Sequence, residues 1–308
     1  RGKVADTSAF QKGETPTQHD TTAVDMILSI VPDSPVQVMA DVRVLPLIVF
    51  ALLIGIGILM AKEDGKPLAK IFDSGAIVMQ KVTMIVMELT PFGVFALMAW
   101  VAGTLGTDAL ISLAQLVGLN YLGCLLIIGL IYSAMIKFIA KLPVIDFFRG
   151  IVDAIAVSYS TASSNATLPV TLRCVERNLG VSNSVASFVV SLGATINMDG
   201  TAIMQGVATV FIAQVYGVEI GPSGYLTVVL TATLASIGTA GVPGVGTIML
   251  AMVLAQMNLP VEGIGLILGV DRLLDMTRTA VNITGDAAVS CIVARSEGKL
   301  DLETFRAP

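Results

Sequence analysis

Five polar residues in an otherwise apolar stretch hold the densest chemistry of this chain. Asp271, Asp275, Arg278, Asn282 and Asp286 lie between Val261 and Ala294, spaced 4, 3, 4 and 4. At about 100° per residue they fall on one stripe of a helix. A charge at the centre of a bilayer costs at least about 2.5–3.5 kcal/mol, so a face with several must look into protein or water. Arg278 stays charged at any relevant pH and offers a planar fork suited to a carboxylate. Asp275, one turn away, can pair with an ammonium group. Together they suit a small molecule with an acidic side chain and an amine. Asp286 has no cation beside it on the stripe, which points to a bound metal ion, and oxygen donors without soft ligands fit a hard cation such as Na⁺. A salt-bridge ladder around Asp275 and Arg278 is the structural alternative; Asn282 and Asp286 extend the stripe beyond any cationic partner on it.

A second polar break, Asn197-Met198-Asp199-Gly200-Thr201, adds another carboxylate to an apolar segment. Gly200 is expected to let the backbone leave the helix and free carbonyl oxygens. The alternative is a glycine kink with a locally bonded Asn and Asp. Ser163-Ser164-Asn165 carries less information, because serine-rich loops are common. Cys124, Cys174 and Cys291 have neither metal-ligand nor redox spacing and read as buried small hydrophobes. The single histidine, His19, sits in a polar segment, so a His- or Cys-based metalloenzyme is not expected. No basic patch interleaved with aromatics exists, and nucleic acid is not an expected partner.

These residues must be positioned by apolar segments. The chain is 55% hydrophobic and 13% charged, against about 25% charged in soluble domains. That is too little charge to coat a soluble body of 308 residues, so lipid is the expected solvent. Arg1–Asp20 reads as an extramembrane loop without the pattern of a signal peptide, and a start of this kind suggests a piece of a longer protein. Val44–Ala61, Ile71–Gly103 (kinked near Pro91 and Gly93) and Leu110–Ile139 read as spans. Val144–Leu179 is interrupted by Ser, Thr and Asn. Val181–Val218 is broken at 197–201, Tyr225–Leu259 by Gly238–Gly246, and Val261–Ala294 carries the stripe. The order is interrupted hairpin, span, interrupted hairpin, span, and both tips end in proline (Pro169, Pro243). Broken apolar segments paired in this way point to a midplane site between repeats, because irregular backbone in a membrane must be buried in protein or line a polar cavity.

Taken in order, Asn197-Met198-Asp199-Gly200-Thr201, Gly238-Thr239-Ala240-Gly241-Val242-Pro243-Gly244 and Asp275-x-x-Arg278-Thr279-x-x-Asn282-x-x-x-Asp286 resemble the dicarboxylate/amino acid:cation symporter family, which includes excitatory amino acid transporters and archaeal aspartate transporters. The similarity runs from about Val44 to Gly298. It implies an all-α polytopic membrane protein with a glutamate-transporter-like fold, two re-entrant helical hairpins and inverted repeats. It implies an elevator-type homotrimer in the plasma or inner membrane, symporting L-aspartate or L-glutamate with Na⁺ and using no organic cofactor. Residues 21–105 would be part of the trimerisation scaffold, 106–298 the transport domain and 299–308 a tail.

The resemblance also assigns roles. Asp275 would hold the substrate amine and Arg278 its side-chain carboxylate. Asn282, Thr201, Thr279, Ser163 and Ser164 would hold its backbone, and Val242 and Gly246 belong to the gate. One sodium site would use Asp286 with carbonyls of Gly193, Asn197 and Asn282. A second would use carbonyls of Thr195, Ser236, Ile237 and Thr239. A third would use Asp199 and Asn197, with partners from spans that precede this chain. Ala162 and Met276 stand where relatives carry arginines, which leaves Arg272 as a substitute. Gln205 stands where proton- and potassium-coupled members have Glu, which favours coupling to Na⁺ alone. A C4-dicarboxylate carrier is the nearest rival, with Asp275 against it; Arg278 argues against a neutral amino acid carrier. An intramembrane hydrolase using Ser163 or Ser164 with Asp199 lacks a base, and a structural membrane subunit would not need the stripe.

Overall fold

The computed structural model describes residues 34, 36–37 and 44–306. Arg1–Asp20 and His19 lie outside the described residues. The chain divides into two compact units, whose described parts are residues 34, 36–37 and 44–100 in one and 101–306 in the other. Among the described residues the structure is helical, apart from one isolated bridge between Val181 and Leu300.

In the first unit, α1 (Val44–Ala61) and α2 (Lys66–Met87) are joined by a 3₁₀ turn, Lys62–Gly65. The charged sequence of this turn ends the apolar run, and Gly65 is buried so closely against the Ile58 backbone that a β carbon would overlap it. α3 begins in this unit at Thr90, runs on into the second to Leu126, and continues there through wide π-helical turns, Ile127–Tyr132 and Met135–Ile139. This corrects where the expected spans Ile71–Gly103 and Leu110–Ile139 divide from one another. The break falls at Glu88-Leu89, and none separates Gly103 from Leu110. Pro91 sits in the first turn of α3, where no amide donor is needed. Gly103 and Gly106 weaken a helix, by about 1 kcal/mol each, without ending it. Leu110–Ile139 is long and apolar enough to cross a bilayer by length and composition alone.

In the second unit, two broken helix pairs surround one long helix. α4 (Val144–Thr161) and α5 (Ser164–Arg173) form the first pair. The turn is made by Ala162, at φ +52°, and by Ser163, whose Oγ accepts the Ala166 amide at 3.1 Å and caps α5. α6 (Asn183–Ile196) and α7 (Asp199–Val215) are separated by Asn197 and Met198. α8 (Pro222–Ile237) and α9 (Val245–Gln256) form the second pair. After the short α10 (Ile264–Leu268), α11 spans Asp271–Ser296 and packs against α4, α6 and α7. α12 (Leu302–Arg306) follows, and its Phe305 is fully buried in the core made by α4, α6 and the end of α11. Cys124, Cys174 and Cys291 are buried free thiols, as their spacing suggested.

Candidate functional site

The polar stripe lies inside the protein. Asp275, Arg278, Asn282 and Asp286 are each 2–3% exposed, and Asp271, at the first turn of α11, is half-buried. Such a stripe on a core helix must find its partners in neighbouring elements, and those partners come from the helix breaks.

At one end, Arg278 closes on Asp275. Its Nε donates to Asp275 Oδ1 at 2.7 Å, and its Nη2 lies 2.7 Å from the same oxygen. Asp275 Oδ2 accepts the Gly244 amide at 2.8 Å. Gly244 caps α9 at φ +78°, a conformation that favours glycine. Gly246 has no side chain because a β carbon there would overlap the Arg278 guanidinium. The Gly246 carbonyl accepts from Gln205 Nε2 at 3.2 Å. Arg278 Nη1 and Gln205 Oε1 are buried with no partner among the described residues. The second helix pair therefore covers Asp275 and Arg278 with backbone, and leaves a cationic N–H with hydrogen-bonding capacity to offer.

In the middle, Asn282 Oδ1 accepts the Gly200 amide at 2.8 Å, while its Nδ2 lies 3.4 Å from Thr201 Oγ1 and 3.1 Å from Met198 Sδ. Gly200 corrects the sequence reading. The backbone leaves the helix at Asn197 and Met198, and Gly200 is already within α7. Glycine is required there by close approach, since a β carbon would overlap the Arg278 backbone. Thr279 is buried, and its hydroxyl donates to the Asp275 carbonyl at 2.8 Å.

Toward the other end, Asn197 Nδ2 donates to Asp286 Oδ1 at 2.9 Å and to the Asn282 carbonyl at 3.2 Å. A β carbon on Gly193 would overlap the Asp286 carboxylate. Gly193, Asn197, Asn282 and Asp286 thus lie together in the structure. Thr195, Ser236, Ile237 and Thr239 lie at the C-terminal ends of α6 and α8. Ser236 and Thr239 are buried, while Thr195 and Ile237 are exposed. The Ser236 carbonyl accepts the Thr239 amide at 3.0 Å, within its own turn. Among the described residues no group of three or more His, Cys, Asp or Glu gathers. The donors at hand are oxygens of carboxylates, amides and helix ends, a hard-cation set.

The two tips meet. Ser163 Oγ donates to the Gly241 carbonyl at 2.8 Å, and the Asn165 amide reaches the same carbonyl at 3.0 Å. Ser164 is buried beside Gly241, and Val242 is half-buried. Arg272 turns to the end of α4, with Nη2 2.9 Å from the Ser160 carbonyl. It caps helix carbonyls there. The sequence reading missed Tyr132 altogether, because a tyrosine in an apolar run reads as core. Its hydroxyl donates to Asp199 Oδ2 at 2.6 Å.

Residues 2–296 match the sodium:dicarboxylate symporter family. The chain is 35% identical over 281 residues to the proton/sodium-glutamate symport protein of Bacillus subtilis (strain 168), covering 91% of this chain and 65% of that protein. It is 37% identical over 300 residues to the proton/glutamate-aspartate symporter of Escherichia coli (strain K12), covering 97% and 68%. It is 35% identical over 303 residues to the C4-dicarboxylate transport protein of Laribacter hongkongensis (strain HLHK9), covering 98% and 68%. The chain therefore spans about two-thirds of the length of these relatives. A match over nearly the whole chain makes this chain a member of the sodium:dicarboxylate symporter family.

Proposed function

We propose that the chain is the core of a sodium-coupled symporter for acidic amino acids, L-aspartate and L-glutamate. It works as a homotrimer in the cell membrane by elevator-type alternating access. The observation that carries the reading is the buried Asp275–Arg278 pair, with Arg278 Nη1 lacking an acceptor among the described residues, under the glycines of the second helix pair. A buried charge needs a partner of matching geometry. A substrate with one carboxylate and one ammonium group replaces this internal pair by two external ones, the carboxylate on Arg278 and the amine on Asp275. Ser163, Ser164, Thr201, Thr279 and Asn282 line the remainder, with Val242 and Gly246 in the gate.

Sodium is the cargo that the oxygen-rich groups suit. Asp286 with Gly193, Asn197 and Asn282 forms one site, and Asp199 with Asn197 contributes to another. The carbonyls of Thr195, Ser236, Ile237 and Thr239 form a third, completed when the gate closes. If the gate closes fully only over substrate and Na⁺ together, each ligand favours the other through that shared state. α5, α8 and α9 contain 10, 16 and 12 residues. At 1.5 Å per residue each is shorter than a hydrocarbon core of about 30 Å, which supports re-entrant hairpins. Residues 21–105 act as partial scaffold, 106–298 as the mobile transport domain and 299–308 as its tail.

The second reading, a C4-dicarboxylate carrier, is favoured by the relative of that name. Uptake into proteoliposomes separates the two. An inward sodium gradient is expected to drive aspartate uptake, which Asp275→Asn abolishes. Uptake of succinate in preference to aspartate, indifferent to Asp275→Asn, would establish the dicarboxylate reading instead. No uptake above a potassium control would sink both.

A further inference from the structure

We infer that Tyr132 is a positioning residue for cation coupling, holding the Asp199 carboxylate through its hydroxyl; this rests on the sodium-coupled reading above. Tyr132 ends the first π-helical turn after α3 and is 3% exposed. An extra residue in a helical turn shifts the side chains that follow it, and such turns recur at functional positions. Here the phenol reaches out of an apolar wall to a carboxylate. Its hydroxyl donates to Asp199 Oδ2 at 2.6 Å, the length of a bond to a charged acceptor.

The contact is built from several elements. A β carbon on Gly285 of α11 would lie 2.6 Å from the phenol oxygen and would overlap Asn197 Nδ2. Gly285 thus leaves room for both polar groups at one point. Asn197 Nδ2 continues to Asp286 Oδ1 at 2.9 Å. The phenol therefore stands at the junction of two carboxylates that belong to different helices, Asp199 on α7 and Asp286 on α11. A carboxylate tied at one oxygen presents the other in a fixed direction. A residue that orients a cation ligand commonly affects affinity by about 10–100-fold when removed. Tyr132 lies on the π-helical continuation of α3, so it also ties the α6–α7 break to a segment outside the two helix pairs.

The test uses the purified protein in lipid nanodiscs. Aspartate binding is titrated against NaCl in the wild type, Tyr132→Phe, Asp199→Asn and the double variant. Phenylalanine keeps the ring packing and removes only the hydroxyl. The sodium concentration at half-maximal binding is expected to rise by about tenfold or more in Tyr132→Phe. Aspartate affinity at saturating sodium should stay within about twofold of wild type, because the phenol does not touch the substrate groups. In the double variant, Tyr132→Phe should add nothing to Asp199→Asn, since one acts through the other. An unchanged sodium midpoint in Tyr132→Phe overturns the inference while leaving the proposed function standing. So does a loss of binding at every sodium concentration, which marks Tyr132 as a packing residue. Absence of sodium-dependent binding in the wild type overturns the proposed function and this inference with it.

Discussion

Arg278 lies where three demands converge. It must pair with Asp275, accommodate one buried guanidinium nitrogen that has no partner among the described residues, and fit beneath Gly246. The last demand yields a sharp prediction. Gly246→Ala places a methyl group where the guanidinium now is. Forced overpacking of this kind costs about 1–3 kcal/mol, so aspartate affinity should fall by about tenfold or more in calorimetry while the helical circular dichroism is retained. Unchanged affinity would mean that the guanidinium moves freely. The stripe itself was legible in the sequence, because charge at regular helical spacing in an apolar run has few alternatives. The role of Gly200 was not legible. A glycine required by a backbone 78 residues away looks the same in sequence as one required by its own φ angle. Tyr132 was hidden for a related reason: its partner, Asp199, is distant along the chain, and aromatic residues in apolar spans are ordinary.

Helix ends explain most of what the elements do. The breaks at Ala162-Ser163, Asn197-Met198 and Gly238–Gly244 fall within the interruptions read from polar and small residues, because such residues cannot continue an apolar helix without exposing backbone. The boundary at Glu88-Leu89 was misplaced because Pro91 reads as a kink, while its lost donor is harmless in a first turn. Beyond α11, α12 folds back on the base of the first helix pair. The Asp301 amide donates to the Gly180 carbonyl at 2.8 Å, and Phe305 fills the core. Phe305→Ala should remove about 3–5 kcal/mol of packing, lowering the thermal midpoint while sparing aspartate affinity at low temperature. Asp301 caps α12. Its Oδ2 accepts from Thr304 Oγ1 at 2.6 Å, and its Oδ1 accepts the Glu303 amide at 3.0 Å. These bonds hold the Asp301 carboxyl below its ordinary value. A lowered carboxyl contributes stability above its unfolded value, about 3.9, and loses it as pH falls through the folded value. Amide exchange in α12 should accordingly quicken, relative to Asp301→Asn, as pH drops below about 4.

On the scale of the molecule, two compact units and an apolar surface remain to be explained. Leu52, Ile56, Leu59 and Met60 on α1 are more than half exposed, as are Phe138, Ile145 and Phe188 in the second unit. Exposed apolar area on this scale marks contact with lipid or with other protein, in keeping with a family of membrane symporters. The composition made this surface legible from the sequence. The division into units was not legible from the residues, because α3 crosses the boundary without any break in pattern. The central claim is that an acidic amino acid binds at the Asp275–Arg278 pair only together with sodium at the neighbouring oxygen-rich groups. The measurement that tests it most directly is L-aspartate binding to purified protein, titrated in NaCl and again in KCl and choline chloride, for the wild type and Arg278→Ala. The account predicts tight binding in NaCl alone. It also predicts a loss of about a hundredfold or more in Arg278→Ala, since two charge-assisted bonds at about 1.5–3 kcal/mol each are removed. Folded protein that binds aspartate equally in all three salts, or that binds no acidic amino acid at any sodium concentration, would contradict it.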